Sequence, residues 1–117
     1  MRKAEIWHNP RCSKSRETVT LLKERGVEVE EVRYLEDPPG RARLEEVLGW
    51  LGREPSGLIR RKEKLFTELG LKEATEEELL SAMAEHPRLI ERPVVIVGEA
   101  AAVGRPPENV LALFGEE

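Results

Sequence analysis

The chain has a single cysteine, no glutamine, only two asparagines and no apolar run long enough to cross a bilayer. Each absence excludes something. One cysteine, Cys12, cannot close an internal disulfide, so the fold does not depend on an oxidising compartment. The longest apolar stretches, 93–98 and 100–103, are a few residues each. The charged start, Met-Arg-Lys-Ala-Glu-Ile, lacks the apolar core of a secretory signal. A soluble, cytoplasmic protein is expected. There is also no charge excess of one sign. The 19 basic and 23 acidic residues give a formal net charge of -4 and are mixed along the chain, which argues against nucleic-acid and membrane-surface partners. Scarce amides beside abundant Glu, Lys and Arg lean toward a thermophilic source. The 117 residues, 39% hydrophobic, suffice for one domain with a packed core and leave no room for a second.

The local patterns read as β-α-β, several helices, then β-β-α. Ala4, Ile6 and His8 alternate with Glu5 and Trp7 as in a strand, and Asn9-Pro10 breaks it. The segment 13–25 is helix-forming, with Ser15, Val19 and Leu22 on one stripe and Gly26 as the stop. A second strand covers 27–34, although its alternation slips at Glu30-Glu31. Leu44, Val47, Leu48 and Leu51 have the spacing of an amphipathic helix, and 56–61 and 64–69 read as two short helical pieces. Thr75-Glu76-Glu77-Glu78 is a capping-box signature opening a helix through Glu85. Residues 93–98 form a β-branched run suited to a strand buried on both faces, followed by a short hairpin through Glu99 to 101–103. Pro106-Pro107 then starts a final helix with Val110, Leu111 and Phe114 facing in. The expected architecture is a small α/β sheet with an inserted helical subdomain at about 41–86, all within one domain, 1–117.

The sharpest chemical feature is His8-Asn9-Pro10-Arg11-Cys12-Ser13-Lys14-Ser15-Arg16. It puts the only cysteine between a strand end and a helix start. Free backbone N–H groups, the positive end of the helix and the cations of Arg11, Lys14 and Arg16 all favour a thiolate there. A lowered pKa makes Cys12 a nucleophile near neutral pH; the plain alternative is a small buried hydrophobe. His8 either tunes that thiolate or is a strand-end histidine satisfied by the backbone. His86, before Pro87, fits a capping or surface role, and two histidines with one cysteine do not make an ordinary structural zinc site. Among many arginines, Arg60 ends an apolar segment, Arg92 precedes Pro93 and the buried strand, and Arg105 precedes Pro106-Pro107. Guanidinium groups fixed beside proline turns can hold a tetrahedral oxyanion through paired donors. Each alone reads as surface; only the fold could bring them together.

The nucleophile loop, with Tyr34-Leu35-Glu36-Asp37-Pro38-Pro39, Leu58-Ile59-Arg60-Arg61, His86-Pro87-Arg88-Leu89-Ile90-Glu91-Arg92-Pro93 and Gly104-Arg105-Pro106, resembles the glutaredoxin-coupled arsenate reductase family across essentially the whole chain. The Cys-Ser-Lys-Ser, Arg-Arg-Lys-Glu-Lys and Gly-Arg-Pro-Pro-Glu forms are closer to a lesser-characterised bacterial branch than to dedicated resistance enzymes. The resemblance implies a thioredoxin-like fold with a helical insertion. It implies Cys12 as nucleophile and Arg60, Arg92 and Arg105 as oxyanion-binding arginines. It also implies His8 as an influence on the nucleophile's ionisation, Ser15 as its hydroxyl partner and Pro93 as the active-site proline that is usually cis. The implied activity is reduction of arsenate to arsenite through a Cys12 adduct, with no bound cofactor or metal. Glutathione or another small thiol is the implied co-substrate and a glutaredoxin-type protein the reductant. The alternatives are a monothiol redox protein acting on another substrate, and an RNA polymerase-binding regulator of the Spx-like kind. Those regulators that sense redox state carry Cys-Xaa-Xaa-Cys, and Ser15 stands at the second position here.

Overall fold

The computed structural model describes residues 2–115, which fall into two compact units. One comprises the chain up to Asp37 and again from Arg92; the other is the continuous segment Pro38–Glu91. In the first unit, β1 (Lys3–Trp7), α1 (Ser13–Glu24) and β2 (Glu28–Val32) form a β-α-β unit. β3 (Val94–Val97) and β4 (Ala100–Val103) follow after the helical segment, and 3-10 turns over Pro107–Phe114 end the unit. The sheet order is β2-β1-β3-β4, with β1 and β2 parallel and the other two pairs antiparallel. This is the thioredoxin-like arrangement.

The strand alternation explains the packing. Ala4 and Ile6 of β1 and Val95 of β3 share a core with Val19 and Leu22 of α1, Val27 and Val110. Burying each of the larger side chains contributes on the order of 1.5–3 kcal/mol. Trp7 points to the opposite face, is fully buried, and donates its indole N–H to Glu5 Oε2 at 3.0 Å. Val94, Val95 and Ile96 are all buried, as a continuous β-branched run demands. The broken alternation of β2 has a simple cause. It is an edge strand paired only with β1, and its glutamates face solvent, a common way to keep an edge from recruiting further strands. Gly98, at φ +60, supplies the reversal between β3 and β4.

The second unit contains α2 (Gly40–Leu51), α3 (Lys64–Glu68) and α4 (Glu76–Glu85), with 3-10 turns at Pro55–Gly57, Leu71–Glu73 and Pro87–Leu89. Leu44, Val47 and Leu48 of α2 and Leu79, Leu80 and Met83 of α4 are buried where the two helices pack. The capping box is formed: Thr75 Oγ1 accepts from the Glu78 N–H at 3.1 Å, and Glu78 Oε1 accepts from the Thr75 N–H at 2.8 Å. Arg41 of α2 donates to Ser81 Oγ at 2.6 Å and to Glu77, tying α2 to α4 across their exposed rims.

Two helical expectations are corrected. The piece expected at 56–61 stops at Gly57, because Ile59 instead forms an antiparallel bridge with Ile90. The Arg60 N–H donates to the Leu89 carbonyl at 2.7 Å and the Glu91 N–H to the Leu58 carbonyl at 2.8 Å. These long-range bonds satisfy the backbone that a helix would otherwise have closed on itself. The last helix is wound as 3-10 turns, with Val110 and Leu111 buried and Phe114 only half-buried. No helix among the described residues is long and apolar enough to cross a membrane.

Candidate active site

Cys12 is the N-cap residue of α1, in extended conformation at φ -95, ψ 123. The turn before it is tied by the Cys12 N–H to the Asn9 carbonyl (2.9 Å), the Arg11 N–H to Asn9 Oδ1 (3.0 Å) and Arg16 Nη1 to the Pro10 carbonyl (2.9 Å). The first N–H groups of a helix have no intrahelical acceptor, and here those of Ser15 and Lys14 reach the Cys12 sulfur. Partial burial pushes the thiol up. The Ser15 N–H, the Arg92 guanidinium and the Lys14 N–H outweigh it and hold Cys12 below its ordinary value. The thiol is half-buried, neither sealed in the core nor fully exposed.

His8 and Ser15 act on each other rather than directly on sulfur. His8 Nδ1 lies 2.7 Å from Ser15 Oγ, and that oxygen also accepts from the Asn9 N–H at 3.1 Å. His8 Nε2 faces Glu31 Oε1 at 3.8 Å. Burial depresses the His8 pKa against the opposing pull of Glu31, and the cations of Arg33, Arg16 and Lys23 reinforce the depression. A neutral ring with its proton on Nε2 toward Glu31 leaves Nδ1 to accept the Ser15 hydroxyl. The pair clamps the loop's first residues to the first turn of α1.

Arg92 and Arg105 converge on the sulfur from the other side of the chain. The Arg92 guanidinium interacts with Cys12 and faces the hydroxyl of fully buried Tyr34. Its Nε is buried with no hydrogen-bond acceptor among the described residues, a donor whose desolvation is uncompensated within the protein. Arg105 donates from Nε to the Arg92 carbonyl, which fixes its fork, and its Nη2 lies 3.7 Å from Cys12 Sγ. Both arginines precede a cis peptide bond, to Pro93 and Pro106. Arg60 belongs to the other unit, where its guanidinium meets Glu63 at 3.1 Å and Glu91 at 3.8 Å. Among the described residues no three His, Cys, Asp or Glu side chains converge to hold a metal ion. Tyr34 has no chemical signal in the residues alone, since a lone buried tyrosine at a strand end looks like core; only the Arg92 contact separates it.

Gly104 packs closely against Thr18 and Pro93. Its N–H donates to the Pro93 carbonyl at 2.8 Å. A Cβ there would stand 2.7 Å from Thr18 Oγ1 and 2.9 Å from Pro93 Cγ. Thr18 cannot yield, being fully buried and bonded to the Lys14 carbonyl at 2.8 Å. Gly104→Ala is therefore expected to destabilise the protein by about 1–3 kcal/mol in urea unfolding and to lower Cys12 reactivity. An unchanged midpoint would mean the loop relaxes freely.

Comparison with known proteins places the chain among its relatives. A sequence model of the ArsC family matches residues 7–113. The chain is 50% identical over 117 residues to the Escherichia coli K12 protein YfgD, covering 97% of this chain and 98% of that one. It is 46% identical to an arsenate reductase of Neisseria meningitidis serogroup B, covering 97% of this chain and all of that protein. The solved structure of an arsenate reductase from Vibrio cholerae superposes with a TM-score of 0.90 at 44% identity, covering 95% of this chain and 97% of that one.

Proposed function

Because the chain belongs to the ArsC family, we propose that it reduces arsenate to arsenite in the cytoplasm, using Cys12 as nucleophile and an external thiol as reductant. The observation that carries this reading is the convergence of Arg92 and Arg105 on a thiolate-favouring Cys12 at the start of α1. The Cys12 thiolate attacks arsenic, an As–S bond forms, and one arsenate oxygen takes up protons and leaves as water. Arg92 and Arg105 hold the remaining oxygens, whose charge they stabilise as the bond forms. Arg60 is assigned as a third such arginine on the family pattern alone, and would trade its carboxylate partners Glu63 and Glu91 for the anion. His8, Ser15 and Pro93 serve as positioning residues for the loop. A glutathione thiol then displaces a second oxygen as water, giving Cys12–S–As(V)–S–glutathione. A glutaredoxin-type thiolate attacks the glutathione sulfur, forming a mixed disulfide and leaving the electron pair on arsenic as As(III). Hydrolysis of the remaining As–S bond frees arsenite and Cys12.

With one cysteine in 117 residues, the protein cannot resolve the adduct internally, so every electron comes from outside. Purified protein with arsenate, glutathione and glutaredoxin is expected to release arsenite continuously. Omitting glutathione should leave a Cys12 adduct visible by intact mass and no arsenite. Thioredoxin as the only thiol source should support no turnover; sustained turnover with it would overturn the cycle. A full system that yields no arsenite but glutathionylates Cys12 would instead identify a monothiol redox protein.

A further inference from the structure

Two prolines in succession leave the loop that carries Arg105 short of donors. Neither Pro106 nor Pro107 has an N–H, so the Arg105 carbonyl is not met by the two residues that follow it. A side chain meets it instead: Asn109 Nδ2 reaches back four residues and donates to the Arg105 carbonyl at 3.0 Å. The Asn109 N–H donates to the Pro106 carbonyl, also at 3.0 Å. We propose that Asn109 is a positioning residue for Arg105, fixing the backbone from which that guanidinium is aimed at the Cys12 sulfur and at a tetrahedral anion beside it. The proposal rests on the reading that Arg92 and Arg105 hold an oxyanion.

Three observations support it. Arg105 is tied along its whole length. Its N–H donates to the Val103 carbonyl at 3.0 Å, its carbonyl accepts from Asn109, and its Nε donates to the Arg92 carbonyl at 2.5 Å, which leaves Nη2 3.7 Å from Cys12 Sγ. A long side chain turns a small backbone rotation into a displacement of about 1 Å at its tip, enough to spoil an oriented contact. Next, Asn109 is exposed, while Val110 and Leu111 beside it are buried and secure the 3-10 turns to the core, so the fold does not need this amide. Finally, side-chain amides are scarce: the chain has no glutamine and two asparagines. The other one, Asn9, accepts from the Arg11 N–H through Oδ1 at 3.0 Å in the turn that leads into Cys12. Both amides therefore stand in the loops that bring Cys12 and Arg105 together. At 109 the group must be a donor, because a carbonyl can only accept.

Inorganic phosphate replaces arsenate in the test, so that its failure and a failure of the reductase reading are distinguishable. Phosphate seated between the arginines shields Cys12 from iodoacetamide, and the half-protecting concentration reads its affinity. Asn109→Ala is expected to raise that concentration about fivefold, the net effect of one hydrogen bond, and Asn109→Asp to raise it further. Without phosphate, the alkylation midpoint of Asn109→Ala should match the native one, because the groups that hold the thiol down are the Ser15 and Lys14 N–H groups and Arg92. In an Arg105→Ala background Asn109→Ala should add nothing, whereas in an Arg92→Lys background it should keep its whole effect. Independently of any anion, the Arg105 Nε–H signal should exchange faster with water in Asn109→Ala than in the native protein. An unmoved half-protecting concentration, a shifted alkylation midpoint, or the same loss in the absence of Arg105 would overturn the positioning role. If phosphate does not shield the native protein, the anion cradle fails, and the Arg105 Nε–H signal still decides: unchanged exchange in Asn109→Ala would overturn the proposal.

Discussion

Cys12→Ser is expected to lower arsenite release by about 10³-fold or more while leaving the thermal midpoint nearly unchanged. The two halves of this result have separate causes. The thiol is only half-buried and its partners are N–H donors and a guanidinium, all of which a hydroxyl oxygen can also accept from, so folding loses little. Catalysis loses the thiolate, because a serine hydroxyl is scarcely ionised near neutral pH even beside Arg92. Alkylation of the native protein by iodoacetamide across pH should give a midpoint below the free-cysteine value of about 8.5. The sign follows from the charges: every group that outweighs burial at Cys12 stabilises its anion. A normal midpoint would return Cys12 to the structural reading, and more than a few per cent residual turnover in the serine variant would remove it from the mechanism.

The elements legible in the sequence are those written in local chemistry. Thr75 and Glu78 form their reciprocal bonds within four residues, so the start of α4 is visible without knowledge of the rest. The same holds for α1, where the Asn9-Pro10 break and Gly26 mark both limits, and for the β-branched run of β3. What failed depends on distant partners. Residues 58–61 have helical composition, yet Leu58 and Arg60 are bonded to Glu91 and Leu89, some thirty residues away, and no local propensity records that. The 3-10 winding after Pro106 is a similar case. Two prolines supply no N–H, and the Asn109 N–H closes a tight bond to the Pro106 carbonyl at 3.0 Å.

At the candidate site, the setting of Cys12 is legible because it is local: a cysteine at a helix start among cations. The arginines were not, since each by itself reads as surface. Arg105 is separated from Cys12 by 93 positions and is placed by its bond to the Arg92 carbonyl, which follows from β3 and β4 pairing as a hairpin. The division of labour between His8 and Ser15 was also hidden. Spacing puts both near Cys12, but only the fold shows the 2.7 Å contact between them.

Arg92→Lys is expected to cut kcat/KM for arsenate by about 10²-fold, although the charge is kept. The guanidinium serves two partners at once, Cys12 and the hydroxyl of buried Tyr34, and holds a buried Nε–H in reserve. That is the requirement for an oxyanion donor: a planar fork whose orientation is set before the anion arrives. A lysine ammonium is a point charge on a flexible stem, so it can stay near the sulfur yet cannot present two N–H groups in a fixed plane. The loss should divide, with KM rising because ground-state oxygens lose a donor and kcat falling because the developing charge loses the same one. Phosphate and sulfate, tetrahedral anions of the same shape, should compete with arsenate in the native protein and compete more weakly in the variant. The carbonyl of residue 92 remains to accept from Arg105, so Arg105 should keep its place and the fold its stability. Tyr34→Phe supplies the intermediate case: it removes the hydroxyl that Arg92 faces, and a smaller rise in KM with little change in kcat is expected. If Arg92→Lys binds phosphate and turns over arsenate within about threefold of the parent, the anion is held elsewhere and the two-arginine cradle is wrong.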